Sequence, residues 1–446
     1  MNYSEMVVSN TMKYEAMKDS GIEWIGNIPT SWKTHTLYQL VTQVKNKNSD
    51  LSEQNLLSLS YGKIKRKDIN SNGGLLPESF NGYNIIEDGD IVLRLTDLQN
   101  DHTSLRVGRA TERGIITSAY TTLRPIFKES SKYLYYLLHS FDIKKGFYGM
   151  GSGVRQGLNY DEVKELRVVI PQPNEQSAIA EYLDNQCAKI DTLIDEAKSS
   201  IEEYKKWKAS LIFETVTKGL DPNVEMKDSK LGWAKKIPST WEIYRLKSLF
   251  SFRKGLSITK ADLVEGGVPV ISYGQIHAKN NTGTHLSDEL LRYVPDKYLE
   301  ISPECLTKHG DIVLADTSED LAGLGNAVLI DREEAVFAGY HTIIMNPTDV
   351  TNSKYLSYLL KTDCWRSQLR ANASGIKVFS LTQKMLRGCN VILPPQQEQS
   401  MIVAYLDKKC SLIDSIIFEK TATIDDLLNY KQSIIFETVT GKRKVV

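Results

Sequence analysis

The strings in this sequence that come nearest to a catalytic motif lack residues that the chemistry needs. An enzyme that methylates adenine holds the flipped base with an Asn-Pro-Pro-aromatic stretch, and the nearest match here is Asn-Pro-Thr-Asp at 346–349. A metal-dependent nuclease needs paired carboxylates and a lysine, but Pro295-Asp296 is followed by Glu300-Ile301-Ser302, where the lysine is missing. No glycine-rich phosphate loop ends in Lys-Ser or Lys-Thr, and the histidines and cysteines show no catalytic or metal-ligand spacing. The sequence therefore predicts a chain that is not itself an enzyme and holds no metal.

Two short patterns that each occur twice suit contact with a polyanion. Ser60-Tyr61-Gly62-Lys63-Ile64 recurs as Ser272-Tyr273-Gly274-Gln275-Ile276, and Ser152-Gly153-Val154-Arg155 recurs as Ser374-Gly375-Ile376-Lys377. Glycine admits close backbone approach, while cationic or amide side chains can meet phosphates and base edges. Ordinary turn structure explains the same residues equally well, so both interpretations stay open here.

Basic residues cluster near these glycine-containing segments, although the chain as a whole is neutral. The 55 Lys and Arg balance the 55 Asp and Glu, which counts against a small, free-standing DNA-binding protein. A run of like charges is usually just a solvated face, so the clusters add only modest support. The candidate DNA-binding residues are Ser60, Tyr61, Lys63, Arg94, Arg109, Arg155, Arg253, Ser272, Tyr273, Gln275 and Lys377.

These candidates must be positioned by a chain that is built as a repeat. Similar segments of about fifty residues run from Ile170 to Gly219 and from Leu393 to Lys442, and Pro394 lies 223 positions after Pro171. Proline at the start, Glu175 or Glu398 in the first turn and a terminal glycine are typical of one long helix in each copy. Apolar residues at heptad spacing predict that the two helices pack against each other. The residues predicted to form this seam are Leu183, Ile190, Ile194, Ile201 and Leu211 in the first copy and Leu406, Ile413, Ile417, Ile424 and Ile434 in the second.

Each helix is preceded by a similar opening motif and a dissimilar body. The motifs run from Met17 to Trp32 and from Met226 to Trp241, and their tryptophans are predicted to pack beneath a turn. Strand-like runs and one short helix, at 131–138 and 353–360, predict a mixed α+β body in each unit. In each body Gly-Asp-Ile-Val, at 89–92 and 310–313, indicates a turn that enters a buried strand. We therefore predict an α+β fold with an internal pseudo-twofold repeat, divided into residues 1–172, 173–218, 219–393 and 394–446.

The order, spacing and duplication of these motifs resemble the specificity subunits of type I restriction–modification systems. The resemblance spans about Met17 to Lys442, and Thr96–Asp101 with Gly114–Tyr120 looks like one recurrent type of target recognition domain. The matching residues are Pro29, Trp32, Pro238, Trp241, Glu175-Gln176 with Tyr182-Leu183, and Glu398-Gln399 with Tyr405-Leu406.

The resemblance implies that the two bodies are target recognition domains, each reading one half of a bipartite asymmetric site in double-stranded DNA. The long helices would pack as an antiparallel coiled coil, set the spacer between the half-sites and dock two modification (methyltransferase) subunits. This chain would bind no cofactor, whereas partner subunits would carry S-adenosylmethionine, ATP and Mg, and restriction subunits would translocate and cut DNA. A fused restriction–methyltransferase system and a helical scaffold with no DNA role are the alternatives.

The sequence also bears on where the chain works. Its start lacks the basic and apolar segments of a signal peptide, and no apolar run approaches the ~20 residues that a membrane span needs. The five cysteines suit reduced thiols. We therefore expect a cytoplasmic protein that has no contact with a membrane.

Overall fold

A computed structural model of the chain describes residues 12–69, 77–101, 103–150, 157–348, 351–371, 373 and 378–445. It divides into two compact units, one of residues 1–198 with 421–446 and the other of residues 199–420. Both divisions fall inside long helices, so each unit contains one half of each helix. The four-segment division made from the sequence follows the helix ends instead, and it remains a prediction.

The first part of the chain forms twelve strands and three α-helices within the described ranges. The strands are β1 (Met17–Asp19), β2 (Asn27–Pro29), β3 (Lys33–Thr36), β4 (Val41–Gln43), β5 (Leu57–Ser60), β6 (Lys63–Arg66), β7 (Asn84–Ile86), β8 (Ile91–Leu93), β9 (Val107–Arg109), β10 (Gly114–Ile116), β11 (Thr121–Pro125) and β12 (Arg167–Ile170). The helices are α1 (Ser131–Ile143), α2 (Tyr160–Val163) and α3 (Pro173–Lys218).

The remainder repeats this plan within the described ranges, with additional short elements. The strands are β13 (Met226–Leu231), β14 (Ala234–Pro238), β15 (Glu242–Arg245), β16 (Phe250–Lys254), β17 (Val268–Ile271), β18 (Arg292–Val294), β19 (Ile312–Ala315), β20 (Thr317–Ser318), β21 (Ala327–Leu329), β22 (Phe337–Ala338), β23 (Thr342–Pro347), β24 (Phe379–Ser380) and β25 (Asn390–Leu393). The helices are α4 (Leu246–Leu249), α5 (Tyr273–Ile276), α6 (Tyr298–Ile301), α7 (Ser353–Leu360), α8 (Asp363–Arg370), α9 (Gln383–Gly388) and α10 (Gln396–Val439).

The two bodies share one framework, as the repeat predicts. The first contains an antiparallel sheet of order β4-β11-β8-β9, and the second contains a sheet of order β16-β23-β19-β21 with the same sequence of neighbours. The Gly-Asp-Ile-Val segments lead into β8 and β19, whose residues are buried throughout. Each body is closed where its first strand pairs with its last, β3 with β12 and β15 with β25.

The bodies differ in the strands that are added to this framework. The first body adds two two-stranded sheets, β5–β6 and β7–β10. The second adds the three-stranded sheet β18-β17-β22, in which β17 and β22 run parallel, and the pair β20–β24. The sequences that diverge between the two bodies therefore form different structures on a common base.

In the first unit, the opening motif packs against helix ends from two distant parts of the chain. Trp32 and Tyr133 share one core with Leu183 near the start of α3 and Ile434 near the end of α10. The Tyr14 hydroxyl donates to Glu175 in the first turn of α3 at 2.5 Å. The start of one helix and the end of the other therefore lie together, so these halves run antiparallel.

The second unit repeats this arrangement with a different hydrogen bond. Trp241 and Tyr355 share a core with Val216 near the end of α3 and Leu406 near the start of α10. Here the Trp241 Nε1–H donates directly to Glu398, at 3.0 Å. In both units the second tryptophan of the motif, Trp32 or Trp241, is buried as the sequence predicts, whereas the first, Trp24 or Trp233, is only half-buried.

The heptad seam is buried along most of its length. Leu183, Ile190, Ile194, Ile201, Leu406, Ile413, Ile424 and Ile434 are all buried. Leu211 and Ile417 are only half-buried, and Ile212 is buried in the place expected for Leu211. A straight helix drifts by about 20° per heptad, so the apolar stripe moves to the neighbouring position near the helix end.

One ion pair between the long helices occurs in both units at equivalent positions. In the first unit Lys431 Nζ lies 2.5 Å from Asp191 Oδ1, and in the second Lys208 Nζ lies 2.6 Å from Asp414 Oδ2. Both members of the second pair are offset from those of the first by the 223 positions of the sequence repeat. The two ion pairs therefore occupy equivalent positions in the two copies of the repeat.

We predict that Gly441→Ala destabilises the first unit. Gly441 follows the end of α10 with φ +72°, and an added Cβ would overlap the Cδ of Pro29 in the opening motif. Left-handed backbone costs an L-residue about 1–2 kcal/mol, so we expect the free energy of unfolding to fall by about 1–3 kcal/mol. Urea unfolding of the full chain measures this.

Gly149→Ala is the control, because its Cβ would meet open space and its φ lies outside the left-handed region. That variant should change stability by no more than about 0.5 kcal/mol. Equal effects of the two substitutions would show that the end of α10 is not held against the opening motif.

Candidate nucleic-acid interface

The buried aspartate of each Gly-Asp-Ile-Val segment holds an arginine in the framework. Asp90 accepts from Nε and Nη2 of Arg124 at 2.8 and 2.7 Å. Asp311 lies 3.2 Å from Nη2 of Arg253, whose Nη1 also donates to the main-chain carbonyls of Glu304 and Leu306. These segments are therefore scaffold elements, as the sequence indicates.

Two of the arginines predicted to bind DNA take part in such internal contacts. The guanidinium of Arg253 is bound as just described, and its side chain is 29% exposed. Arg109 donates from Nε to Ser131 Oγ at 2.9 Å and lies 3.2 Å from Asp88. Their charges are largely compensated within the protein, and contact with DNA remains a prediction for both.

Tyr61 is the most exposed aromatic candidate. Strands β5 and β6 form a hairpin in which Tyr61 and Gly62 both have positive φ, 47° and 76°, as a two-residue type I′ turn requires. The Tyr61 side chain is 78% exposed, and Ser60 pairs with Lys63 beside it. Lys63 Nζ lies 3.9 Å from Asp191 Oδ2 and stays mostly solvated. The hairpin tip thus presents an aromatic ring and a cation to solvent.

The similar segment of the second body, Ser272–Ile276, forms a different structure. Ser272 precedes the short helix α5, and Gln275 Oε1 accepts from the Ser272 main-chain N–H at 3.2 Å. The Tyr273 ring lies 5.5 Å from Tyr340 and 5.4 Å from His341 between centroids. Ser272 itself is buried. The two Ser-Tyr-Gly segments are therefore not structural equivalents, and the apparent repeat at this place does not correspond to one feature of the fold.

Arg94 lies at the start of the loop that follows β8, where its guanidinium is 3.8 Å from Asp101. The remaining two candidates, Arg155 and Lys377, lie outside the described residues. The described candidates belong to different elements: Tyr61 and Lys63 lie on one hairpin, Arg94 lies at the start of one loop, and Tyr273 belongs to an aromatic cluster.

The sequence did not distinguish Arg106 from its basic neighbours, although the structure does. Its side chain is fully buried, and it occurs as one charge in the series Arg94, Arg106, Arg109 and Arg113. A single arginine between Leu105 and Val107 carries no local pattern that reveals burial.

Two further properties of the described residues limit the chemistry. Within the described ranges, no three His, Cys, Asp or Glu side chains come together as a metal site would need. Among the helices that the structure describes, none is both long enough and apolar enough to cross a membrane. Asn346, from the string nearest to a methyltransferase motif, donates to the buried Asp311 at 2.6 Å.

Comparison with known proteins places this architecture in a family. The sequence model described as "Type I restriction modification DNA specificity domain" matches residues 29–203 and 238–425, one match for each half of the repeat. The chain belongs to this family.

Individual relatives and solved structures agree with this assignment. The chain is 24% identical over 343 residues to the type I restriction enzyme MjaVIII specificity subunit of Methanocaldococcus jannaschii, covering 75% of each chain. It is 22% identical over 219 residues to the EcoKI specificity subunit of Escherichia coli K12, covering 47% of this chain and 44% of that subunit.

Two solved structures show the same fold at low sequence identity. One chain, from work on complex assembly and conformational transition of a type I restriction–modification system, superposes with a TM-score of 0.67 at 16% identity, covering 92% of this chain and 98% of that one. The HsdS subunit from Thermoanaerobacter tengcongensis gives a TM-score of 0.50 at 15% identity, covering 93% and 98%.

We predict that Arg253→Met lowers stability, whereas Tyr61→Ala does not. Loss of the Arg253 guanidinium leaves the fully buried Asp311 without its cation, which should cost about 2–4 kcal/mol of unfolding free energy. Tyr61 is exposed, so its truncation should change stability by no more than about 0.5 kcal/mol and should weaken DNA binding. Thermal unfolding and DNA titration of the same preparations separate the two effects. An Arg253→Met protein of unchanged stability but impaired DNA binding would instead assign Arg253 to the DNA surface.

Proposed function

We propose that this chain is the DNA sequence-specificity subunit of a type I restriction–modification complex, in which each body reads one half of a bipartite asymmetric site. The observation that carries this proposal is the combination of one framework with two different elaborations. The sheets β4-β11-β8-β9 and β16-β23-β19-β21 share one order of strands, whereas the added strands differ. Two domains that are attached to the same helices but recognise different DNA sequences need a common framework and different added strands.

Partner subunits supply the chemistry in this proposal. Two modification subunits bind the chain, carry S-adenosylmethionine and methylate adenine, while restriction subunits use ATP and Mg in the cytoplasm. Large apolar side chains are exposed on the long helices, and a docked partner would cover them. In the second unit these are Trp207, Met401, Leu412 and Phe418. Partners can also supply part of the phosphate contact that a neutral chain lacks.

The closing strand pairs define where the first body can be exchanged. Residues 33–170 begin with β3 and end with β12, which pair with each other, so an exchange at these points keeps that pair together. The incoming body must also keep the tyrosines that bind the helices. In this chain the Tyr133 hydroxyl donates to the Val439 carbonyl at 3.0 Å, and the Tyr136 hydroxyl donates to Asp184 at 2.8 Å.

We predict that replacing residues 33–170 with the corresponding body of a relative changes one half of the methylated motif and leaves the other half intact. The physical reason is that each body folds on its own framework sheet. Mapping methylated adenines in cells that express the chimaera with its modification subunit measures the outcome.

The matched experiment exchanges residues 242–393, which begin with β15 and end with β25. It should change the opposite half of the motif. If either exchange altered both halves together, the assignment of one half-site to each body would be wrong.

A further inference from the structure

The loop that joins β8 to β9 has an exposed polar face on a buried base. Its described residues are 94–101 and 103–106. Leu95 and Leu98 are buried, whereas Thr96, Asp97, Gln99 and Asn100 are exposed. The loop contains no helix or strand over these residues. Something other than regular secondary structure must therefore fix its backbone.

Arg106 binds the main chain of this loop from below. Its side chain is 0% exposed. Nη1 donates to the Thr96 carbonyl at 2.6 Å, and Nη2 donates to the carbonyls of Asp97, at 3.2 Å, and Asp101. One guanidinium thus holds three carbonyl groups of a six-residue stretch.

Further contacts complete this buried polar network. Arg106 Nε donates to the Tyr148 hydroxyl at 3.2 Å, and that hydroxyl donates to the Asp101 carbonyl at 2.9 Å. The Asp142 carboxylate accepts from the Arg106 main-chain N–H at 2.5 Å, and burial raises the pKa of Asp142 to about 6. A buried cation is costly compared with an apolar side chain of similar size. The hydrogen bonds of this network offset part of that cost, and they hold the loop in one defined conformation.

Two local features fix the exposed face of the loop. Asp97 has a left-handed backbone with φ 58°, and its Oδ1 accepts from Asn100 Nδ2 at 2.8 Å. The Asn100 amide is therefore engaged within the loop. Among the hydrogen bonds between described residues, none involves the Gln99 side chain, which is left as an exposed amide on a rigid support.

The second body holds the equivalent loop with other arginines. Between β19 and β21, Arg366 Nη1 donates to Asn326 Oδ1 at 2.6 Å, and Arg370 Nε donates to the Leu321 carbonyl at 2.9 Å. Burial lowers the pKa of Arg366 to about 10. The same loop of the same sheet is thus fixed in both bodies by residues that do not correspond in sequence.

We infer that Gln99 reads a base pair in the first half-site and that Arg106 is the residue that positions it, an inference that rests on the proposed function. The carbonyl of a primary amide can accept from the N6 amino group of adenine while one of its N–H groups donates to N7 in the major groove. A loop that is already ordered in the free protein loses little conformational entropy when it binds. Arg94, at the base of the loop, supplies a cation for a neighbouring phosphate.

Adenine-methylation mapping of Gln99 variants, co-expressed with the modification subunit, tests the inference. For Gln99→Ala we expect methylation at wild-type sites to fall about tenfold, with discrimination lost at one A·T pair of the first half-site. Gln99→Glu should fail at the same pair, since a carboxylate cannot donate to N7. The second half-site should be unchanged in both variants. Gln54→Ala removes an exposed amide outside the loop and should leave the motif as in the wild type.

Arg106→Lys tests positioning separately, because it keeps the charge but cannot bridge three carbonyls. We expect the same base pair to lose discrimination. A lower melting temperature with unchanged base preference would give Arg106 a purely structural role and would overturn that part of the inference.

The outcomes distinguish this inference from the function on which it rests. If the wild-type chain directs a two-part motif and both Gln99 variants keep full discrimination in it, the assignment of the loop is wrong and the proposed function stands. If the wild-type chain directs no two-part motif, the proposed function is overturned and the loop assignment fails with it.

Discussion

Each unit of this chain depends on helix ends that come from two distant parts of the sequence. The opening tryptophan is buried against the first turn of one long helix and the last turns of the other. Glu175 and Glu398 accept hydrogen bonds from the opening segments, from Tyr14 in one unit and from Trp241 in the other. Truncation of a buried tryptophan costs about 3–5 kcal/mol, so the contacts with both helix ends stabilise each body. This constraint explains why openers and helices are alike in the two halves while the bodies are free to differ.

Much of this framework could be predicted from the sequence, because residues close together in the chain determine it. Heptad spacing, the proline-rich helix starts and the terminal glycines are local signals. The 223 positions of the sequence repeat are also the offset between the two helix-to-helix ion pairs, which the sequence alone did not reveal. The heptad pattern predicts Leu211 in the seam, whereas the structure buries Ile212 instead. A strict heptad assumes 3.5 residues per turn, but a straight α-helix has 3.6, so the buried position shifts along the helix.

The recognition surface was much harder to predict, for a physical reason. Whether an arginine meets DNA or a buried carboxylate depends on residues far away in the chain, as Arg253 and Asp311 illustrate. The same five-residue pattern forms a hairpin at Tyr61 and a helical turn at Tyr273, because neighbouring strands decide the local backbone. Arg106 is a second example. Nothing in its neighbouring sequence indicates burial, yet its side chain forms the centre of a buried hydrogen-bond network. We therefore infer base readout from an exposed side chain on a loop held by buried hydrogen bonds, rather than from basic residues alone.

We propose that one chain specifies two separate half-sites. Genome-wide mapping of methylated adenines, with and without this gene and in the presence of its modification subunit, tests that claim most directly. We expect a motif of two defined parts separated by an unspecified spacer of fixed length, and we expect its methylation to disappear when the gene is removed. A continuous motif, or methylation that persists unchanged without the gene, would contradict it.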